Sequence, residues 1–320
     1  MLLENIGFYT LSNKRALNVH NNPLNRCELI VTNHCNFNCT YCRGLRDDID
    51  CEIETIDALT TLRYWCDNGL VNVRFSGGEP TLYKDLDILV AYCAKRGVKR
   101  IAISTNGSAD FEKYEYLHNL GVNDFSISLD SACCAVANTI SGTVDMLDTV
   151  VDNIKRISQL TYTTIGMVFT EDNIDDAINT VKFSSSLGAS DIRIIPSAQY
   201  NEALTKLVEL PTELLLKHPI LKYRIENIKN GRNVRGVDND YKCHLVLDDM
   251  VVANNYHFPC VVYMREYGDP IGKVGPYMMQ ERCNWFEQHV PAKDPICSKM
   301  CLDVCVDYNG VAAEGCKICK

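Results

Sequence analysis

Short apolar runs alternate along this chain with longer stretches whose apolar residues recur three and four apart. The runs lie near residues 28–33, 71–76, 100–104, 124–129, 162–169 and 191–195. Their length and their content of Val, Ile and Phe predict strands. Thr55 to Trp65 carries the helical spacing. Asp85 to Ala94 carries it too and stops at Gly97, and Asp172-Asn173 precedes an amphipathic run that ends near Gly188. Six strand-then-helix units predict an α/β fold with right-handed crossovers and a parallel sheet. The pattern divides the chain into a lead-in (1–26) with a polar loop at 21–25, the repeating unit (27–197), a linker with a helix (198–239) and a cysteine-rich C-terminal segment (240–320).

The chemistry sits at the ends of these strands. The first is followed by Cys35-x3-Cys39-x2-Cys42. Three thiolates at this spacing can wrap one corner of a cuboidal iron–sulfur cluster and leave one iron open; a zinc site is the alternative use. The second ends in Gly77-Gly78-Glu79-Pro80. Its glycines let backbone approach a ligand and Glu79 can accept from an ammonium; read plainly, it is a strand-end turn. The third closes in Ser104-Thr105-Asn106-Gly107, the fourth in Ser128-Leu129-Asp130.

In this order, each at a strand end, these elements resemble the radical S-adenosylmethionine (radical SAM) superfamily, in the style of the group that includes the molybdenum-cofactor GTP cyclase. The resemblance implies a partial (β/α)6 TIM-type barrel, with a [4Fe–4S] cluster on Cys35, Cys39 and Cys42. It implies that Gly77, Gly78, Glu79 and Pro80 hold the amino group of S-adenosyl-L-methionine (SAM). Ser104, Thr105, Asn106, Ser128 and Asp130 are the ribose and carboxylate candidates, and the backbone at Tyr41 and Val168 faces the adenine.

Composition changes the picture in two ways. A formal net charge of −9 argues against a nucleic-acid partner. The N-terminal residues predict neither a signal peptide nor a membrane span, and an odd count of 17 cysteines points to metal ligation in a reducing cytoplasm rather than to disulfides.

Eight cysteines crowd the last quarter: Cys243, Cys260, Cys283, Cys297, Cys301, Cys305, Cys316 and Cys319. This run resembles the twitch and SPASM extensions of radical SAM enzymes, in which a β-hairpin and a short helix carry an auxiliary [4Fe–4S] cluster. The stretch from Asp248 to Cys260 predicts the hairpin, turning at Asn254-Asn255. The spacing departs from the SPASM core, and the expected ligands are Cys243, Cys260, Cys301 and Cys305, with Cys297 as substitute. Cys316 and Cys319 could complete a second cluster or form a loose terminal pair; a structural zinc is the alternative for the whole set.

Cys133 and Cys134 are candidates to return a hydrogen atom to a product radical, or a buried helix-start pair. Arg193, Arg232 and Arg235 are candidates for a substrate phosphate or carboxylate, or surface charges. His34 and His244 read as packing neighbours of cysteines, and the acidic stretch 47–54 as a solvated loop. The resemblance implies an oxidoreductase that cleaves SAM reductively to a 5′-deoxyadenosyl radical. A low-potential flavodoxin or ferredoxin would serve as donor, and a small molecule, nucleotide or peptide as substrate. A peptide maturase or epimerase, a nucleotide-modifying enzyme and a non-catalytic metal-binding protein are the alternatives. About 26 residues precede the first strand, too few for a leader-binding domain, and the chain lacks the Gly-Gly end of the GTP cyclase.

Overall fold

The structure, a computed structural model, describes residues 25–42, 44, 46, 48–49, 52–195, 202–232, 236–237 and 240–318. Six parallel strands follow the expected order: β1 (Arg26–Thr32), β2 (Asn72–Gly77), β3 (Arg100–Thr105), β4 (Asp124–Ser128), β5 (Tyr162–Val168) and β6 (Asp191–Ile195). Between them run α1 (Thr55–Asp67), α2 (Leu86–Lys95), α3 (Phe111–Leu120), α4 (Cys134–Ser141), α5 (Leu147–Leu160) and α6 (Ala177–Ser186). The sheet is open, with strand order β6-β5-β4-β3-β2-β1 and three further strands beyond β1.

Strand alternation separates two faces. Cys27, Leu29 and Val31 of β1, Val73 and Phe75 of β2, and Phe125 and Ile127 of β4 join one apolar core with the helices, whose Leu62, Trp65, Leu89 and Ile154 are buried there. The intervening residues face inward and are polar: Arg26 and Glu28, Arg74 and Ser76, Asp124, Thr164 and Arg193. A closed barrel of this type fills its interior with branched apolar side chains. Here Asp124 instead pairs with Arg100 (3.2 Å) and Arg74 (3.6 Å), and Asp249 with Arg26 (3.6 Å). The interior is a ligand space.

Residues 202–232 are more ordered than a linker: a 3₁₀ helix (Glu202–Glu209), α7 (Thr212–Lys217) and α8 (Pro219–Lys229). The buried Asp191 carboxylate accepts from the Ile220 (3.0 Å) and Leu221 (3.5 Å) amides at the start of α8, which seats that helix on β6. The cysteine-rich segment follows as α9 (Leu245–Asp248), β7 (Asp249–Ala253), β8 (Tyr256–Phe258), α10 (Val261–Arg265), β9 (Gly272–Lys273), α11 (Met278–Gln288), α12 (Cys297–Met300) and α13 (Asp303–Ile318). The hairpin turns where expected, with Asn254 left-handed at φ 53°. Its first strand pairs in parallel with β1, Arg26 opposite Asp249, so the segment continues the same sheet.

Candidate active site

The three-cysteine loop leaves β1 at Thr32 and is held from two sides. Gly78 N–H donates to the Thr32 carbonyl and Glu79 N–H to the His34 carbonyl, both at 2.8 Å. Asn38 and Thr40 N–H donate to the Ser141 and Ile140 carbonyls at the end of α4, at 2.8 and 2.9 Å. The glycines serve this clasp. Gly77 has φ 147°, and a Cβ there would strike the Thr32 carbonyl oxygen; one on Gly78 would lie 2.6 Å from the Asn33 oxygen. They admit the protein's own backbone on one side and border the cavity on the other.

Two thiols already receive N–H donors, Cys35 from Phe37 (3.4 Å) and Cys42 from Gly44 (3.3 Å). Burial, then the Asp130 carboxylate, pushes the Cys39 thiol up to about 12, and burial raises Cys35. Metal ligation removes those protons. Three converging thiols with sulfur-directed donors and an open cavity in front fit a cluster with one free iron.

Glu79 is fully buried, and its carboxylate accepts from Thr81 N (3.1 Å), Thr81 Oγ1 (2.7 Å), Thr105 Oγ1 (2.8 Å) and Asn106 N (2.6 Å). It ties the end of β2 to the end of β3, so its side chain positions the loops, while Thr105 also borders the cavity. Pro80 opens the 3₁₀ turn that carries Thr81. Asn106 Nδ2 reaches Asn36 Oδ1 at 2.9 Å, beside the cysteine loop. Ser104, which accepts from Arg74 (2.9 Å), and exposed Ser128 line the cavity.

Asp130 accepts from the Tyr41 hydroxyl and from Val168 N–H, both at 2.7 Å, and the Val168 carbonyl accepts from Asn173 (2.9 Å). The Val168 backbone thus makes two bonds to protein partners, and Val168 borders the cavity. Burial raises Asp130 to about 6, against those two bonds. As pH rises from about 4 the unfolded carboxylate ionises first, so the folded state holds more protons and stability falls until about pH 6. Asp130→Asn keeps both contacts, its amide donating to Tyr41, and cannot ionise. Its melting temperature is expected to gain on wild type between pH 4 and 6 and to run parallel above; a constant difference would refute the assignment.

Two cavities meet inside the open barrel. One, of about 520 Å³, is lined by Cys35, Cys39, Cys42, Gly78, Asn106 and Asp130. The other, of about 190 Å³, is lined by Cys243, Cys260, Cys297, Cys301 and Cys305. Arg26, Glu28, Arg193, Ile195, Val262 and Leu302 line both. Cys133 and Cys134 are exposed and line neither, which corrects their reading as hydrogen donors or a buried pair. Arg232 is bound to Asp307 (2.7 Å) and lines neither cavity; Arg235 lies outside the described residues.

In the second cavity five thiols converge where four would hold a cubane cluster. Burial raises Cys243 to about 11 and pushes Cys260 and Cys297 up as well, and Cys301 is raised first by its hydrogen bond with Cys305 and then by burial. Behind them the fully buried Arg282 guanidinium donates to the Val246 (2.6 Å), Phe258 (3.2 Å) and Asp249 carbonyls, pinning the segments that carry Cys243 and Cys260. Cys297 also has its sulfur 3.5 Å from His289 Nε2, and with His289 and Asp294 it forms the one group of three potential metal ligands within 4.8 Å of one another among the described residues. Cys283 belongs to a separate apolar cluster with Val246, Leu247 and Phe286. The Cys316 side chain and Cys319 lie outside the described residues. Arg26 and Glu28 escaped the motif reading; charges at alternate positions of an apolar strand were their signal.

Residues 29–184 match the sequence model of the Radical SAM superfamily, and this part of the chain is a radical SAM enzyme domain. The family uses a [4Fe–4S] cluster and SAM. The chain is 24% identical over 216 residues to "Probable GTP 3′,8-cyclase" of Sulfurisphaera tokodaii, covering 62% of this chain and 69% of that protein. It is 32% identical over 128 residues to the GTP 3′,8-cyclase of Synechococcus elongatus, covering 38% of this chain and 39% of that one; several of these relatives are spanned over less than two thirds of their length. Among solved structures, anSMEcpe with bound AdoMet superposes with a TM-score of 0.61 at 16% identity, over 92% of this chain and 93% of that one. Streptococcus suis SuiB bound to S-adenosylmethionine gives 0.59 at 17% identity, over 86% and 67%. These likenesses bear out the open α/β barrel. No helix among the described residues is long and apolar enough to cross a membrane.

Proposed function

We propose that this protein is a radical SAM oxidoreductase with an auxiliary [4Fe–4S] cluster, acting on a small substrate held between two cysteine sites. The observation that carries the reading is the continuity of the two cavities, one lined by Cys35, Cys39 and Cys42, the other by five tail cysteines. Cys35, Cys39 and Cys42 would hold the first cluster, which, reduced by a flavodoxin or ferredoxin, would supply the electron for reductive cleavage of SAM. The chain's own residues orient and shield. The glycine clasp fixes the thiol loop, Glu79 and Asp130 fix the strand ends around SAM, and the apolar wall of Ile195, Val262 and Leu302 excludes water from the space between the sites. Cys243, Cys260, Cys301 and Cys305 would hold the auxiliary cluster, which would supply an acceptor for an electron given up by the substrate.

The curated relatives named GTP 3′,8-cyclases favour a nucleotide substrate; the peptide-bound neighbours, SuiB with its precursor peptide SuiA among them, share the fold alone. Cytoplasmic residence follows from the oxygen-sensitive chemistry and reducing environment such clusters require. The test is the double substitution of Cys301 and Cys305 by alanine. The anaerobically reconstituted variant is expected to lose about four irons per chain, as one cubane requires, and to keep reductive release of 5′-deoxyadenosine. Unchanged iron would remove the auxiliary cluster from the reading.

A further inference from the structure

The throat shared by the two cavities holds two charges that no described side chain hydrogen-bonds or ion-pairs directly, although Asp124 acts on Arg193 from a distance. Glu28 is 7% exposed, and Arg193 has its Nε buried without a partner. Among the described residues neither side chain makes a hydrogen bond or an ion pair, whereas their neighbours do: Arg26 with Asp249, and Arg74 with Asp124 and Ser104. Buried charges are kept only where something pairs with them. The two lie on β1 and β6, the first and last strands of the six-strand parallel arc; no ion pair joins them among the described residues, and both border the space between the cysteine sites. The wall they share is apolar, with Ile195 beside Arg193 on β6 and Val262 and Leu302 from the cysteine-rich segment.

Resting on the reading above, we propose that Arg193 and Glu28 are the two polar anchors of the substrate, which is a small anion that also carries N–H donors. A phosphate or carboxylate takes the guanidinium fork, an ammonium or a pair of ring N–H groups takes the Glu28 carboxylate, and the apolar body lies against Ile195 and Val262. Burial lowers the Arg193 guanidinium only to about 10, so it stays charged at neutral pH.

Two probes separate the sources of this chemistry. GTP offers phosphates with ring N–H donors, and L-glutamate offers carboxylates with an ammonium. Each is titrated calorimetrically into the reconstituted protein with SAM present. One probe is expected to bind saturably, with affinity falling roughly tenfold to a hundredfold in Arg193→Gln and in Glu28→Gln, the loss usual for a charged hydrogen bond. Arg193→Lys, which keeps the charge in the same place, is expected to recover part of it and stands in should Arg193→Gln not fold. Binding of neither probe to the wild type, or binding that the substitutions leave unchanged, overturns the proposal. Release of 5′-deoxyadenosine by the wild-type protein reports on the radical reading separately, so the two can fail independently.

Discussion

Replacing Cys35, Cys39 and Cys42 together by alanine is expected to abolish 5′-deoxyadenosine formation and to leave about four irons per chain, the content of one cubane cluster. The three thiols border one cavity and the tail thiols another, so removing the first set does not touch the ligands of the second. The loop stays in place because its fixing bonds are made by backbone: Gly78 and Glu79 to Thr32 and His34, Asn38 and Thr40 to the end of α4. Iron and sulfide analysis with an absorption spectrum of the reconstituted variant reads the outcome. If iron falls to near zero while the circular dichroism is unchanged, the tail binds zinc or is structural, and the chemistry is a redox-neutral radical reaction.

Gly77→Ala is expected to destabilise the protein by about 2–4 kcal/mol, combining a left-handed backbone that alanine resists with a collision. The obstacle is the Thr32 carbonyl, rigid main chain at the last residue of β1. Relief requires β1 and β2 to part where the cysteine loop begins, so the same variant is expected to bind about four fewer irons at this site. Thermal melts and iron content check both. A variant of wild-type stability and full iron content that has lost only SAM affinity would mean that the glycine serves the ligand after all.

The fold was legible because six apolar runs with helical spacing between them admit few arrangements, and each run became a strand within two residues of its expected position. The hairpin at Asn254 was legible for a similar local reason: two short runs flank a residue type that tolerates a left-handed turn. The strand-end motifs announced a site, yet roles within it did not follow from residue type. Glu79 looked like an ammonium acceptor and is engaged by Thr81, Thr105 and Asn106 from two strand ends; Cys133 looked reactive and lies off the cavity. Such engagement is a property of neighbours brought from elsewhere in the chain, and no local pattern encodes it.

What the sequence by itself determined is the covalent and periodic part: the spacing of Cys35, Cys39 and Cys42, the strand order that puts four motifs at one end of a parallel sheet, and the reserve of tail cysteines. The tertiary structure alone decided which tail thiols share a cavity, that the tail continues the sheet beyond β1, and that Glu28 and Arg193 stand unpaired between the two sites. The reason is distance along the chain. Spacings of three or four residues are set by local geometry, whereas Glu28, Arg193 and Cys260 meet only after the sheet has closed most of a barrel around them.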